Sequence, residues 1–78
     1  MARLVLLGPA REAAGVSSAT VQGNTVEEIL QSACGTYGSA FEAVVKVSQI
    51  WVNGEPAQPD SSVEPHDEVA VLPPVSGG

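Results

Sequence analysis

Thr25-Val26-Glu27-Glu28-Ile29-Leu30-Gln31-Ser32-Ala33 is the stretch on which the fold turns. Thr25 followed by Glu28 forms a capping box: the Thr hydroxyl accepts the amide three residues on, and Glu28 reaches back toward the cap amide. Val26, Ile29, Leu30 and Ala33 then fall at i, i+3, i+4 and i+7, which lays one apolar stripe along a helix. Gly35 and Gly38 loosen what comes next. Ala40, Phe41, Val44 and Val45 repeat the helical spacing more briefly, so a short second helix or turn is expected there.

Working outward, strands flank this helix on both sides. Arg3-Leu4-Val5-Leu6-Leu7 is a continuous apolar run of the kind found in a central strand, stopped by Gly8-Pro9. Residues 10–16 read as a loop or a single helical turn closed by Gly15. Ser18 to Gln22 alternates polar and apolar, a half-buried strand hairpinned to the first. After the helix, Gln49-Ile50-Trp51-Val52 is a strand and Asn53-Gly54 a tight hairpin turn. The return strand, around residues 55–58, carries Pro56 and suits an edge. A last strand covers residues 68–72. The order is ββα, a small turn, then βββ: an α+β domain with a mixed sheet of about five strands and one main helix on one face.

Composition narrows the function. A chain of 78 residues is one domain with a small core. Nine acidic residues against Arg3, Arg11 and Lys46 leave a net charge of −6, which repels a phosphate backbone and argues against nucleic-acid binding. Such a surface favours a partner with a basic face. Cys34 is the single cysteine, so neither an internal disulfide nor a thiolate metal cluster can form, and no metal site is expected. No leader pattern opens the chain and no apolar run spans a bilayer, so the expectation is a cytoplasmic protein without membrane contact.

The other informative stretch is the end. Residues 1–72 form the domain, and Pro73-Pro74-Val75-Ser76-Gly77-Gly78 is expected to be a flexible, extended tail. The two prolines cannot continue a ladder, and six residues at about 3.3 Å each reach ~20 Å. Gly77 and Gly78 lack side chains, so they fit a channel too narrow for other residues. The chemistry offered is the Gly78 α-carboxylate, ionised at neutral pH. It can attack the α-phosphate of ATP in another protein's active site. Taken alone, Ser-Gly-Gly also reads as a linker or a processing remnant.

Asp67-Glu68-Val69-Ala70 followed by Pro73-Pro74-Val75-Ser76-Gly77-Gly78 resembles the C-terminus of the small subunit of molybdopterin synthase, MoaD, among the ubiquitin-like sulfur carriers that include the thiamin carrier. Arg11-Glu12 with Gly15, Thr25-Val26-Glu27 and Val52-Asn53 resemble the family's first loop, helix start and third strand. The resemblance implies a β-grasp fold, as in ubiquitin. It also implies that an E1-like enzyme adenylates the Gly78 carboxylate with ATP and Mg²⁺, and that a sulfur donor protein supplies a persulfide to form a thiocarboxylate. The large synthase subunit then receives the tail in a heterotetramer. The chain itself binds no cofactor and catalyses nothing alone. A carrier for thiamin, cysteine or tRNA thiolation, a conjugated modifier, and a ubiquitin-like binding module without tail chemistry remain the alternatives.

Strand alternation predicts a second site. If Leu4, Leu6, Val69 and Val71 meet the helix, then Val5, Leu7, Ala70 and Leu72 face away from it, joined by Trp51. An apolar patch beside the tail is a docking surface, although scattered surface apolar residues are also normal. In the family, the positions of Leu7, Pro56 and Leu72 present apolar side chains to both partners. Aromatics are frequent at the first and last of these, and a larger aliphatic at Pro56. The partner-binding set is thus Leu7, Arg11, Trp51, Pro56, Leu72 and the tail residues Pro73, Pro74, Val75 and Ser76. Arg11 is assigned a bidentate pair with a partner carboxylate, or else a solvated surface role. Cys34, expected near the helix C-terminus, is read as packing with a raised pKa. His66 is a turn residue, Glu27 and Glu28 serve the helix start, and Asp67 and Glu68 attract a basic partner or solubilise an edge.

Overall fold

The computed structural model describes residues 1–73. Five strands form one sheet: β1 (Ala2–Leu6), β2 (Ser18–Val21), β3 (Gln49–Val52), β4 (Glu55–Pro56) and β5 (Glu68–Leu72). Their order is β2-β1-β5-β3-β4, with β1 and β5 parallel at the centre and the other neighbours antiparallel. This is the β-grasp architecture, and the two apolar runs at either end of the chain make its middle.

Three helices join the strands: α1 (Pro9–Ala14), α2 (Val26–Tyr37) and α3 (Ser39–Val47). The capping box forms in altered shape. The Glu28 amide donates to Thr25 Oγ1 at 3.2 Å, but the Glu28 carboxylate accepts from the Asn24 amide at 2.9 Å, one residue before the expected partner. Leu4, Leu6, Val69 and Val71 are fully buried against Val26, Ile29, Ala33 and Phe41. Each such side chain contributes roughly 1.5–3 kcal/mol of burial.

Several expectations change in detail. Residues 9–14 form a six-residue helix rather than a loop or a single turn, because Pro9 presets the first helical φ and Ala10 buries in the core. Gly35 stays inside α2, and of the two expectations for the next segment, a short helix or a turn, the helix forms and runs nine residues. Phe41 explains the latter: it is fully buried and meets the Tyr37 ring at 5.2 Å between centroids, locking α3 to α2 across Gly38. The return strand shrinks to two residues, Glu55–Pro56, since Pro56 has no amide for a longer ladder. Residues 57–63 are more than turns. The Val26 amide donates to Ser61 O at 3.0 Å, Glu27 to Pro59 O at 2.9 Å and Val63 to Asn24 O at 2.8 Å, so this loop caps the start of α2 and buries Val63.

Gly23 is demanded by space at the same junction. A Cβ there would lie 3.0 Å from the Ile29 amide nitrogen and 3.0 Å from its Cδ1. Backbone cannot yield as a flexible side chain does.

Candidate functional site

The outer face of the sheet carries four of the predicted docking residues, Trp51 and Pro56 in one transverse row and Leu7 and Leu72 in the next. Ser18 pairs with Val5, Val5 with Ala70, Ala70 with Trp51 and Trp51 with Pro56. A second row lies nearer the tail. Leu72 is opposite Gln49, and Leu7 lies alongside through its amide, which donates to Val71 O at 3.2 Å. Alternation therefore brings Leu7, Leu72, Trp51 and Pro56 together. Leu7 is 41% exposed and Pro56 exposed, while Val5, Trp51, Ala70 and Leu72 are half-buried. Half-burial is what neighbouring side chains on a bare sheet face impose on one another. The Trp51 indole donates to Gln49 Oε1 at 3.2 Å, which holds the ring along the strand.

Pro73 directly follows β5, and it sits over Gly8. Gly8 precedes α1 with φ 57° and ψ −130°, a backbone state in which other residues are strained. The Gly8-Pro9 pair reads in sequence as a strand stop; its contact with Pro73, sixty-five positions along the chain by number, has no local pattern to reveal it. Pro74, Val75, Ser76, Gly77 and Gly78, the other tail residues singled out by sequence, lie outside the described residues.

Arg11 is on helix α1, not in a loop, and is exposed. It lines a depression with Glu12, Gly15, Val16, Ser17 and Ser18, at the β2 end of the row rather than beside Leu72. Val16, 40% exposed, was not among the predicted contacts. The Leu6 amide bonds to Ser17 O at 2.9 Å, which brings Val16 near Leu7 and extends the apolar surface.

The acidic pair at the start of β5, Asp67 just before it and Glu68 its first residue, divides its work. Asp67 accepts from Asn53 Nδ2 and from the Glu64 amide, both at 2.9 Å, and Asn53 Oδ1 accepts from the Glu68 amide at 2.9 Å. These bonds, that from the Glu64 amide first, hold the Asp67 carboxyl below its ordinary value. Asp67 thus ties the β3–β4 turn to the start of β5, a structural role. Glu68 stays exposed beside Arg3 in register.

Cys34 is half-buried in α2, one turn before its end, in a groove of about 520 Å³ between α2 and α3. Burial first, then Glu42, pushes its thiol pKa up, with Lys46 opposing. The direction matches the expectation, but its causes are burial and a carboxylate. His66 is exposed, and among the described residues no three His, Cys, Asp or Glu side chains gather to hold a metal. Nor is any described helix long and apolar enough to cross a membrane.

The ThiS family model matches residues 4–78. The chain belongs to the ThiS family. It is a ubiquitin-like sulfur carrier of that family. Among solved structures it is similar to small archaeal modifier protein 1 from Methanosarcina acetivorans, at 26% identity and TM-score 0.88 over 99% of this chain and 95% of that one. The BexX/CysO complex of Amycolatopsis orientalis contains a chain with 21% identity and TM-score 0.83, each chain covered fully. The complex of subunits 1 and 2 of the molybdopterin-converting factor of Helicobacter pylori contains one with 20% identity and TM-score 0.72, over 99% and 97%. The last two likenesses establish the shared fold. No curated protein sequence matches this chain. Within the ThiS family fold, this chain places the outer sheet face beside the end of β5 and Pro73.

Proposed function

We propose that this ThiS-family chain carries sulfur on its Gly78 carboxylate as the small subunit of a molybdopterin synthase. The observation that carries the reading is that the family match runs unbroken to Gly78 and so includes the diglycine end. The Pro73-Pro74-Val75-Ser76 approach to that end supports the molybdenum pathway within the family.

In the proposed cycle, an E1-like enzyme docks on Leu7, Trp51, Pro56 and Leu72. A Gly78 carboxylate oxygen attacks the ATP α-phosphorus, with Mg²⁺ on the phosphates, and pyrophosphate leaves. Activation is required because a free carboxylate has no good leaving group; the acyl adenylate has AMP. The terminal sulfur of a donor protein's persulfide displaces AMP. A thiol then cleaves the resulting acyl disulfide at its S–S bond, leaving the thiocarboxylate on Gly78. The large subunit takes the tail into its own pocket, where that sulfur attacks the pterin precursor. The described residues contain no cluster of cations for phosphate or pterin, in keeping with partners supplying those contacts.

A second reading within the same chemistry is transfer to a cysteine precursor, or conjugation of Gly78 to protein lysines. The CysO and archaeal modifier likenesses favour it. Intact mass after incubation with an E1-like enzyme, ATP and a persulfide donor tests the shared step. Exchange of one terminal oxygen for sulfur is expected; an unchanged mass, with an enzyme active on another carrier, overturns the proposal. Adding the large subunit with pterin precursor, or a lysine-bearing lysate, then separates the two acceptors.

A further inference from the structure

Asn53 and Gly54 join β3 to β4, and the pair has a chemistry that the turn does not need. The backbone nitrogen that follows an asparagine can attack its side-chain amide carbon, closing a five-membered succinimide ring. A side chain on the following residue shields that nitrogen, and glycine has none. The sequence holds two asparagines: Asn24 precedes the β-branched Thr25, and Asn53 precedes Gly54. Both residues of the turn are exposed, and a Cβ on Gly54 would meet nothing within 4 Å, so solvent reaches the site.

The folded turn works against this reaction. Asn53 and Gly54 both have positive φ, 52° and 83°, as a tight hairpin turn requires. The Asn53 side chain is held at both polar atoms: Nδ2 donates to Asp67 Oδ1, and Oδ1 accepts from the Glu68 amide, each at 2.9 Å. The Asn53 main-chain amide also donates to Glu68 O at 2.9 Å. Ring closure turns Cγ from planar to tetrahedral and swings the side chain onto its own backbone, so both side-chain bonds must loosen. The bond to Asp67 is charge-assisted and is the stronger restraint.

We infer that Asn53 is a modification site, deamidated through attack by Gly54, and that its clasp with Asp67 and Glu68 sets the rate. The Gly54 nitrogen gives its proton to hydroxide and forms the N–Cγ bond; the Cγ–Nδ2 bond breaks, and Nδ2 takes up a proton and leaves as ammonia. Water then opens the succinimide at either carbonyl, giving aspartate or isoaspartate and one added negative charge. In the aspartate form an oxygen replaces Nδ2 opposite Asp67 Oδ1, so two carboxylates repel where a hydrogen bond stood. In the isoaspartate form the main chain gains an atom between Val52 and Glu55, the pair nearest the turn in the β3–β4 ladder. Either product loosens the turn from the start of β5, and neither regains the lost amide. The site is the β3–β4 turn and not the tail, so it stands whether or not Gly78 accepts sulfur.

The experiment incubates the folded full chain, and the same chain unfolded in urea, in warm and mildly alkaline buffer. Peptide mapping by mass spectrometry reads each asparagine, with exchange of NH₂ for OH marking conversion. The expected result is conversion at Asn53 ahead of Asn24 in the unfolded chain, and conversion of Asn53 at least about tenfold slower in the folded one. Asp67→Ala, confirmed folded by circular dichroism, should speed the folded-state reaction about tenfold, whereas Asp67→Asn, whose Oδ1 can still accept, should keep most of the protection. Asn53→Asp should lower the urea midpoint. If Asp67→Ala does not fold, the comparison of folded with unfolded chain and the Asn53→Asp midpoint decide. Equal rates in folded and unfolded chains, equal rates in the wild type and a folded Asp67→Ala, or conversion led by Asn24 overturns the inference. An unchanged midpoint for Asn53→Asp overturns it as well.

Discussion

Gly8 and Pro73 meet just beyond the ends of the first and last strands. A Cβ on Gly8 would lie 3.6–3.9 Å from the ring carbons of Pro73, ordinary contact distance, so space is not what requires glycine there. The backbone is: φ 57° with ψ −130° is a state glycine adopts without strain. Gly8→Ala is therefore expected to destabilise the domain by about 1–3 kcal/mol. A urea midpoint lowered with an unchanged slope would show it, and an unaltered midpoint would refute the backbone argument.

Leu72→Asp tests the docking face. Leu72 sits between Leu7 and Gln49 at the tail end of the sheet, half-buried. An ionised carboxylate there must be desolvated on binding, so affinity for the activating enzyme and for the large subunit should each fall at least about tenfold, or ~1.4 kcal/mol. Calorimetry against each partner reads this directly. Full affinity for either would place the interface elsewhere.

Adding one alanine after Gly78 should abolish sulfur loading and leave the urea midpoint unchanged. The added residue follows Gly78 in sequence and leaves the core residues untouched, whereas the reactive carboxylate moves off the diglycine. Loading at the normal rate, read by intact mass, would separate the chemistry from Gly78.

Asp67 predicts a pH dependence with a definite sign. Its carboxyl is held below the ordinary value by the Glu64 amide and Asn53. A depressed acid stabilises the fold above its unfolded pKa, near 3.9, and loses that contribution as pH falls through the lower folded value. Asp67→Asn should lower the melting temperature at pH 7 and flatten its decline below about pH 4. Parallel melting curves for both proteins from pH 7 to pH 2 would remove Asp67 from the account.

Thr25→Ala should cost about 1 kcal/mol by removing the acceptor of the Glu28 amide at the start of α2. Glu28→Ala should cost less, because its partner, the Asn24 amide, is exposed and water replaces the carboxylate. Chemical denaturation of the two variants gives the order.

What the sequence by itself determined is whatever a few neighbouring residues encode. Thr25 to Ala33 contains its own cap and its own apolar period, and the runs 3–7 and 68–72 contain their alternation, so α2, the central strands and the two sheet faces follow without a structure. The Leu7–Trp51–Pro56–Leu72 surface is legible for the same reason. Tertiary structure decided what depends on residues far apart in the chain. Phe41 carries α3 through a region that Gly35 and Gly38 mark as loose, because the core gains a fully buried ring. The loop of residues 57–63 becomes the cap of a helix thirty positions earlier through main-chain bonds, which leave no trace in side-chain pattern. Asn53 and Asp67 clasp across fourteen positions, turning an apparently solubilising acid into a structural one. Arg11 shares a depression with Ser17 and Ser18, rather than lying on a loop, because α1 forms and carries it there. Periodicity and caps act within a turn or a strand; the placement of those elements depends on which distant surfaces exclude water together, and that is settled only when the chain is folded.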